Sequence, residues 1–206
     1  WAGSLGGTVK NLVLPSVVVR EPRVFHGTPE WLAVRDTMVT ASDVAAIMGR
    51  NPYKSREDVL VDKLTARRSV MTDAMKGGLK WEPAILQAFE ALTGWETVRS
   101  QELLFSARLE GLGATCDGFC QETKTRVGLV EVKNMSRGLL DQDPPEYYRI
   151  QVLTQLYVTG LETGHLCARF GKNGCRIWDI EPNKKFELAL EEAVVRFMAD
   201  LKENAL

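Results

Sequence analysis

ATCDGFCQETKTRVGLVEVKN, residues 114–134, decides how this chain is read. Two β-prone runs, 111–119 and 127–133, flank QETKTR at 121–126, a polar stretch suited to a turn. In the second run Leu129, Glu131 and Lys133 share one face and Val130 and Val132 the other, because side chains alternate along a strand. At first sight it is a half-buried strand. If the two runs pair as a simple hairpin centred near Lys124, opposite residues have numbers summing to about 248, placing Asp117 across from Glu131. Two carboxylates so close repel unless a cation or a shared proton intervenes. Taken alone, Glu131 and Lys133 read as a solvated ion pair and Asp117–Gly118 as a turn. Paired, they form a candidate divalent-ion site with an ammonium beside it.

Outward from this hairpin the elements alternate in type. TASDVAAIMG, from Thr40, carries an N-cap signal and stops at Gly49, and Ser55 caps a second helix through SREDVLVDKLTA. A longer helix is expected from about Ala74 to Thr93, ended by Gly94, with Trp81, Ile85, Phe89 and Leu92 as its apolar stripe. Residues near 96–105 read as a strand, Pro144 and Pro145 open a helix through about Tyr157, and HLCARF and CRIWDI form a strand pair around Gly171–Gly174. An amphipathic helix follows from about Lys184 to Leu201. The expected fold class is α/β (α+β), a central mixed β-sheet flanked by helices. Residues 1–22 are expected to be a loose arm and residues 23–206 a single domain.

Composition narrows the chemistry. The 206 residues carry a net charge of −1, which argues against a broadly basic nucleic-acid-binding surface. Between Lys54 and Lys80, however, seven basic residues (Lys54, Arg56, Lys63, Arg67, Arg68, Lys76, Lys80) face four acids. That stretch suits either a local phosphate groove or solvated helix faces. No apolar run is long enough to span a bilayer, and no signal peptide is read at the N-terminus, so a cytoplasmic setting is expected. Cys116, Cys120, Cys167 and Cys175 lack zinc-ligand spacing and are expected to be free thiols. His26 and His165 are too few for an imidazole cage, so any metal must be carboxylate-held, which favours magnesium or manganese.

Other polar residues fall in step with the hairpin. Glu82 lies at the edge of the apolar stripe of the long helix, where an unpaired carboxylate is costly. Tyr148, Gln151 and Gln155 share one helix face at spacings of three and four. The series of a helix Glu, then Asp-Gly, then Glu131-Val132-Lys133, then a Gln-bearing helix resembles the plan of the PD-(D/E)XK nucleases, whose core is restriction-endonuclease-like. Cys116 stands where that plan has proline.

The resemblance extends to one family, the lambda-exonuclease (YqaJ-type) viral recombination nucleases. It rests on WLAVRDTMVTAS at 31–42, Gly77 to Glu82 followed by Pro83, TCDG at 115–118, EVK at 131–133 and YYRIQ at 147–151. It covers roughly Trp31 to Gly160. The resemblance implies that Asp117, Glu131 and the Val132 carbonyl hold Mg2+ (or Mn2+), one or two ions. By the same token Lys133 activates the hydrolytic water and Glu82 assists the second metal. Arg35, Ser42 and Thr115, with Gln151 alongside, would grip a 5′-phosphate, and Tyr148 and Gln155 would contribute to substrate binding. The implied activity is processive 5′→3′ degradation of one strand of linear double-stranded DNA by a homotrimeric ring. Mononucleotides would be released, and the 3′ overhang would pass to a single-strand annealing recombinase. The setting would be a bacterial host cell, the protein being phage or prophage encoded. Competing expectations are a structure-specific or restriction-like endonuclease of the same fold and a non-catalytic DNA-end-binding module.

Overall fold

A computed structural model describes residues 17–18, 23–66, 73–135 and 142–205, with the side chains of residues 73–79 left aside. The elements run β1 (Val17–Val18), α1 (Pro29–Asp36), β2 (Val39–Thr40), α2 (Ala41–Ile47), α3 (Arg56–Leu64), α4 (Asp73–Thr93), β3 (Thr97–Arg99), β4 (Leu104–Ser106) and β5 (Leu112–Ala114). They continue with β6 (Gly118–Gln121), β7 (Val127–Asn134), α5 (Glu146–Thr159), β8 (Gly164–Arg169), β9 (Cys175–Ile180) and α6 (Lys184–Asn204). Caps set the helix starts as expected. Asp43 accepts from the backbone N–H and hydroxyl of Thr40, while Ser55 and Asp58 exchange bonds at the head of α3. Gly94, at φ +72°, ends α4 in a conformation that L side chains rarely adopt.

The described strands form two sheets rather than one. A five-stranded mixed sheet has the order β3-β6-β7-β8-β9, with β7 and β8 parallel and the other pairs antiparallel. A four-stranded sheet has the order β1-β4-β5-β2. The runs expected as single strands at 96–105 and 111–119 are each split between the two sheets. The second split, at residues 115–117, positions the site. Of the expected N-terminal arm, Val17 and Val18 pair with Ser106 and Phe105, and the remainder lies outside the described residues.

Helices cover both faces of the five-stranded sheet. Val130 and Val132 pack with Ile85, Leu86 and Phe89 of α4, while Leu129 packs into the larger core with Ile150, Val152 and Leu156 of α5. Helix α5 also packs against the four-stranded sheet, α2 and α6, so its second half is buried all round. β7 is therefore a doubly covered strand, and Glu131 is only 2% exposed. That excludes a solvated pair. Leu129, fully buried, would cost about 2–5 kcal/mol on truncation to Ala. Leu92, expected in the apolar stripe, is 60% exposed, because α4 meets the sheet through Ile85, Leu86 and Phe89.

Candidate active site

The β6–β7 ladder pairs Gly118 with Val130 and Phe119 with Leu129, so the next rung sets Asp117 opposite Glu131. The expected register holds. Asp117 stands just before β6, and its Oδ2 accepts the backbone N–H of Val132 at 2.8 Å. Gly118 lets β3 approach closely: a Cβ there would lie 3.1 Å from the Val98 carbonyl, a tight contact. Lys133 donates to Oε1 of Glu131 from the same strand face. Helix α5 supplies the rest. Gln151 donates to Glu131 Oε1 and Gln155 to Oε2, each at 2.6 Å, and Gln155 also donates to the Thr115 carbonyl at 3.0 Å. Tyr148 presents its ring to the Lys133 ammonium, 5.2 Å from the centroid. The shared face of α5 thus converges on Glu131 and Lys133, with both glutamines serving the carboxylate.

Burial and charge set the protonation of this cluster. Burial and the charge of Glu131 push the Asp117 carboxyl well above its ordinary range, against the opposing pull of Lys133 and the Val132 amide. Burial works against the Lys133 ammonium, but the charges of Glu131 and Asp117 outweigh it and raise its pKa. Lys133 is accordingly a charged donor as it stands. Three carboxylates (Asp117, Glu131, Glu82) face two cations (Lys133, Arg99), so full ionisation leaves a net negative pocket. An all-oxygen, net-negative donor set fits a hard divalent cation. Asp117 and Glu131 would hold it, with the Val132 carbonyl in reach along the strand.

Glu82, buried on α4, is ion-paired to Arg99 of β3, with its Oε1 at 2.8 Å from Nε and 2.7 Å from an Nη. Arg99 pairs in the ladder with Gly118, so it sits beside Asp117. Glu82 and Asp117 line one small open cleft with His26, Ser100, Gln101 and Thr115. Nothing in the spacing of the sequence signalled Arg99, because only the sheet brings it near.

Arg35, Ser42 and Thr115 come together through Trp31. The Arg35 guanidinium lies 4.5 Å over the Trp31 ring, and the indole N–H donates to the Thr115 hydroxyl at 3.4 Å. Arg35 also donates to Ser42 at 3.4 Å. Beneath them, buried Asp43 receives Lys63 at 2.9 Å and lies 3.9 Å from Arg35. Burial alone would raise the Asp43 pKa, yet Lys63, Arg35 and Thr40 bring it down to about 2. Two cations around one carboxylate leave a net positive patch, suited to an anion. Gln151 is not in this patch, being committed to Glu131. Asp43 was not singled out in the sequence, Thr40 was read only as an N-cap and Lys63 only as part of the basic stretch, although the capping pattern at Thr40–Asp43 marks the first two.

The basic stretch from Lys54 to Lys80 is not a free phosphate groove where it is described. Lys54 pairs with Asp62, Arg56 with Asp200 and Lys63 with Asp43, while Lys80 is exposed. Arg67 and Arg68 lie outside the described residues, as does the Lys76 side chain. A cation the sequence did not flag, Arg169, is held by the Trp81 face at 3.8 Å and by Asn134 at 2.9 Å. Neither neighbour neutralises it.

The four cysteines are free. The fold does gather Cys120, Glu122 and His165, their ligand atoms within 4.8 Å of one another, at the opposite end of the hairpin from Asp117 and Glu131. His165 lies between Glu122 at 3.0 Å and Asp179 at 2.8 Å, while burial and the Glu122 charge push the Cys120 thiol up to about 12. This group is separate from the carboxylate pair. Residues far apart in sequence build it, which is why spacing alone showed no such set.

This set of carboxylates, lysine and glutamines on a mixed sheet is that of a restriction-endonuclease-like nuclease fold. The sequence profile of the YqaJ-like viral recombinase domain matches residues 30–162, and the chain belongs to that family. An uncharacterized protein of Acanthamoeba polyphaga mimivirus is 30% identical over 161 residues. The match takes in 71% of this chain but only 29% of that protein. Among solved structures, the alkaline exonuclease LHK-Exo of Laribacter hongkongensis superposes with a TM-score of 0.74 at 25% identity, over 86% of this chain and 94% of that one. A phage-related exonuclease of Haemophilus somnus shares the fold, with a TM-score of 0.65 at 11% identity over 82% and 96% of the two chains. Among the described residues, no helix is long and apolar enough to cross a membrane.

Proposed function

We propose that this chain is a deoxyribonuclease, an Mg2+-dependent exonuclease that degrades one strand of linear double-stranded DNA from a 5′-phosphorylated end. The observation that carries this reading is the buried Asp117–Glu131 pair with Lys133 on one of its oxygens. The family and the likeness to an alkaline exonuclease support it. A divalent ion held by Asp117 and Glu131 would supply Lewis acidity for phosphodiester hydrolysis. Asp117 and Glu131 hold that position, and Gln151 and Gln155 fix the Glu131 carboxylate so that it cannot rotate away. Lys133, as an ammonium, orients the attacking water and stabilises the charge growing on the phosphoryl oxygens. Glu82, held by Arg99, adds a third acid at the cleft beside Asp117. Arg35, Ser42 and Thr115 receive the terminal 5′-phosphate, which favours digestion from an end over internal cleavage.

The finer features rest on the family resemblance: 5′→3′ polarity, processivity, release of 5′-mononucleotides, a homotrimeric ring and transfer of the 3′ overhang to an annealing recombinase. A solved structure of LHK-Exo holds dAMP, which supports a mononucleotide product here. The domain is taken to span residues 23–206, preceded by an arm, and the setting to be the cytoplasm of a bacterial host. Digestion of end-labelled linear duplex with and without Mg2+, reading polarity and product size, tests the proposal. Rapid degradation of covalently closed circles would overturn the exonuclease reading in favour of an endonuclease.

A further inference from the structure

The segment between α2 and α3 places an aromatic ring in solvent against the first turn of α5. Tyr53 is 81% exposed, yet its turn is built firmly. Asn51 accepts the Tyr53 backbone N–H at 2.9 Å, Pro52 restricts the backbone, and Lys54 is tied to Asp62 at 2.8 Å. The turn also docks on the start of α5. Arg50 lies 3.9 Å from Glu146, and the Tyr53 ring meets the Tyr147 ring edge-on at 5.8 Å. Tyr147 in turn lies 4.3 Å from Tyr148, whose ring faces the Lys133 ammonium. Three tyrosines therefore run in one series from open solvent to Lys133.

An exposed ring on a fixed turn is not explained by packing, since its face is left bare. Nucleobases freed from a duplex offer the matching chemistry: flat, polarisable faces joined by phosphates. We propose that Tyr53, Tyr147 and Tyr148 form a stacking platform for unpaired nucleobases of the strand being hydrolysed. Resting on the nuclease reading, this assigns Tyr53 and Tyr147 to the strand path leading to Lys133. Stacking on any base makes the platform indifferent to sequence.

The test combines kinetics with binding. Wild type, Tyr53→Ala and Tyr53→Phe digest 5′-phosphorylated linear duplexes that are either intact or abasic at the nucleotides nearest the 5′ end. Tyr53→Ala is expected to raise KM about tenfold with kcat little changed, and Tyr53→Phe to restore it. Wild type should lose a similar factor on the abasic duplex, whereas Tyr53→Ala should lose little more. Multiplicative losses would show that the ring does not meet a base and overturn the proposal. So would a change in oligomeric state of Tyr53→Ala, which would assign the ring to a contact between copies. A single-stranded 2-aminopurine oligonucleotide reads the platform without turnover: its fluorescence should be quenched on binding wild type and not on binding Tyr53→Ala. Quenching by a wild type that leaves linear duplex intact would sink the exonuclease reading alone, and equal quenching by both proteins would sink the platform alone.

Discussion

Gln155 donates to Oε2 of Glu131 at 2.6 Å, and the same amide nitrogen donates to the Thr115 carbonyl at 3.0 Å. The amide orientation is thereby fixed, and its own buried carbonyl has no partner among the described residues. Gln155→Leu removes both bonds and leaves the Glu131 carboxylate held through Oε1 alone, by Gln151 and Lys133. Support of this kind around a metal ligand is worth about 10–100-fold in affinity or activity. We expect the Mg2+ concentration for half-maximal nuclease activity to rise by that order, measured as an activation curve.

Lys133 is expected to contribute to turnover and not to end binding. Lys133→Ala should lower the rate about 10²–10³-fold, the range seen when a charge-stabilising donor is removed. Binding of a labelled duplex end, measured by fluorescence anisotropy, should stay within a few-fold of wild type. Full activity in Lys133→Ala would remove this residue from the site.

Arg35 faces the opposite test. Arg35→Ala should slow digestion of a 5′-phosphorylated duplex at least about tenfold, as befits a charged hydrogen bond. The rate on a 5′-hydroxyl duplex should change far less. Equal loss on both ends, in parallel time courses, would leave Arg35 with a structural role only.

Asp43 carries a pH signature in stability. Its pKa falls from an ordinary 3.8 to about 2 on folding, through Lys63, Arg35 and Thr40 against the cost of burial. A depressed carboxylate contributes stability that is full above the unfolded value and lost as pH falls through the folded one. Asp43→Asn should destabilise by about 3–5 kcal/mol at neutral pH, the scale for breaking a buried ion pair. In urea unfolding, the gap between wild type and variant should narrow between pH 4 and pH 2.

Asp117 has the reverse sign. Its pKa is raised by burial and by Glu131, so the folded state favours the protonated carboxyl, and that preference is lost as pH rises through the folded value. A divalent ion held by Asp117 and Glu131, as proposed, would offset the cost of ionising both. Chelation with EDTA should therefore lower Tm more at pH 8 than at pH 5. Mg2+ binding should release protons, read as a buffer-dependent heat in calorimetry.

The hairpin was legible because its two periodicities are local: alternation along 127–133, a polar turn, and a fixed sum of paired numbers. Helix boundaries followed from Thr40, Ser55 and Gly94, each a local backbone requirement. The second sheet was not legible, since β4 and β5 are three residues each and owe their place to packing rather than to pattern. Arg99 and Arg169 were missed for the same reason: a single arginine on a strand carries no periodic signal, and only the fold reveals its neighbours. The basic stretch left two readings open in sequence, and in space its described members Lys54, Arg56 and Lys63 each meet a separate carboxylate.

The split of the 111–119 run has a mechanical consequence. Thr115 follows the four-stranded sheet and, through Trp31, anchors the patch around Arg35; Asp117 begins the five-stranded sheet and faces Glu131. Under the proposed function, three residues of chain, Thr115 to Asp117, would act as the ruler between the anchored end of a strand and the bond to be cut. In that reaction the increment removed at each turnover would follow from that length. Inserting one residue there would miscalibrate the step while leaving each station intact.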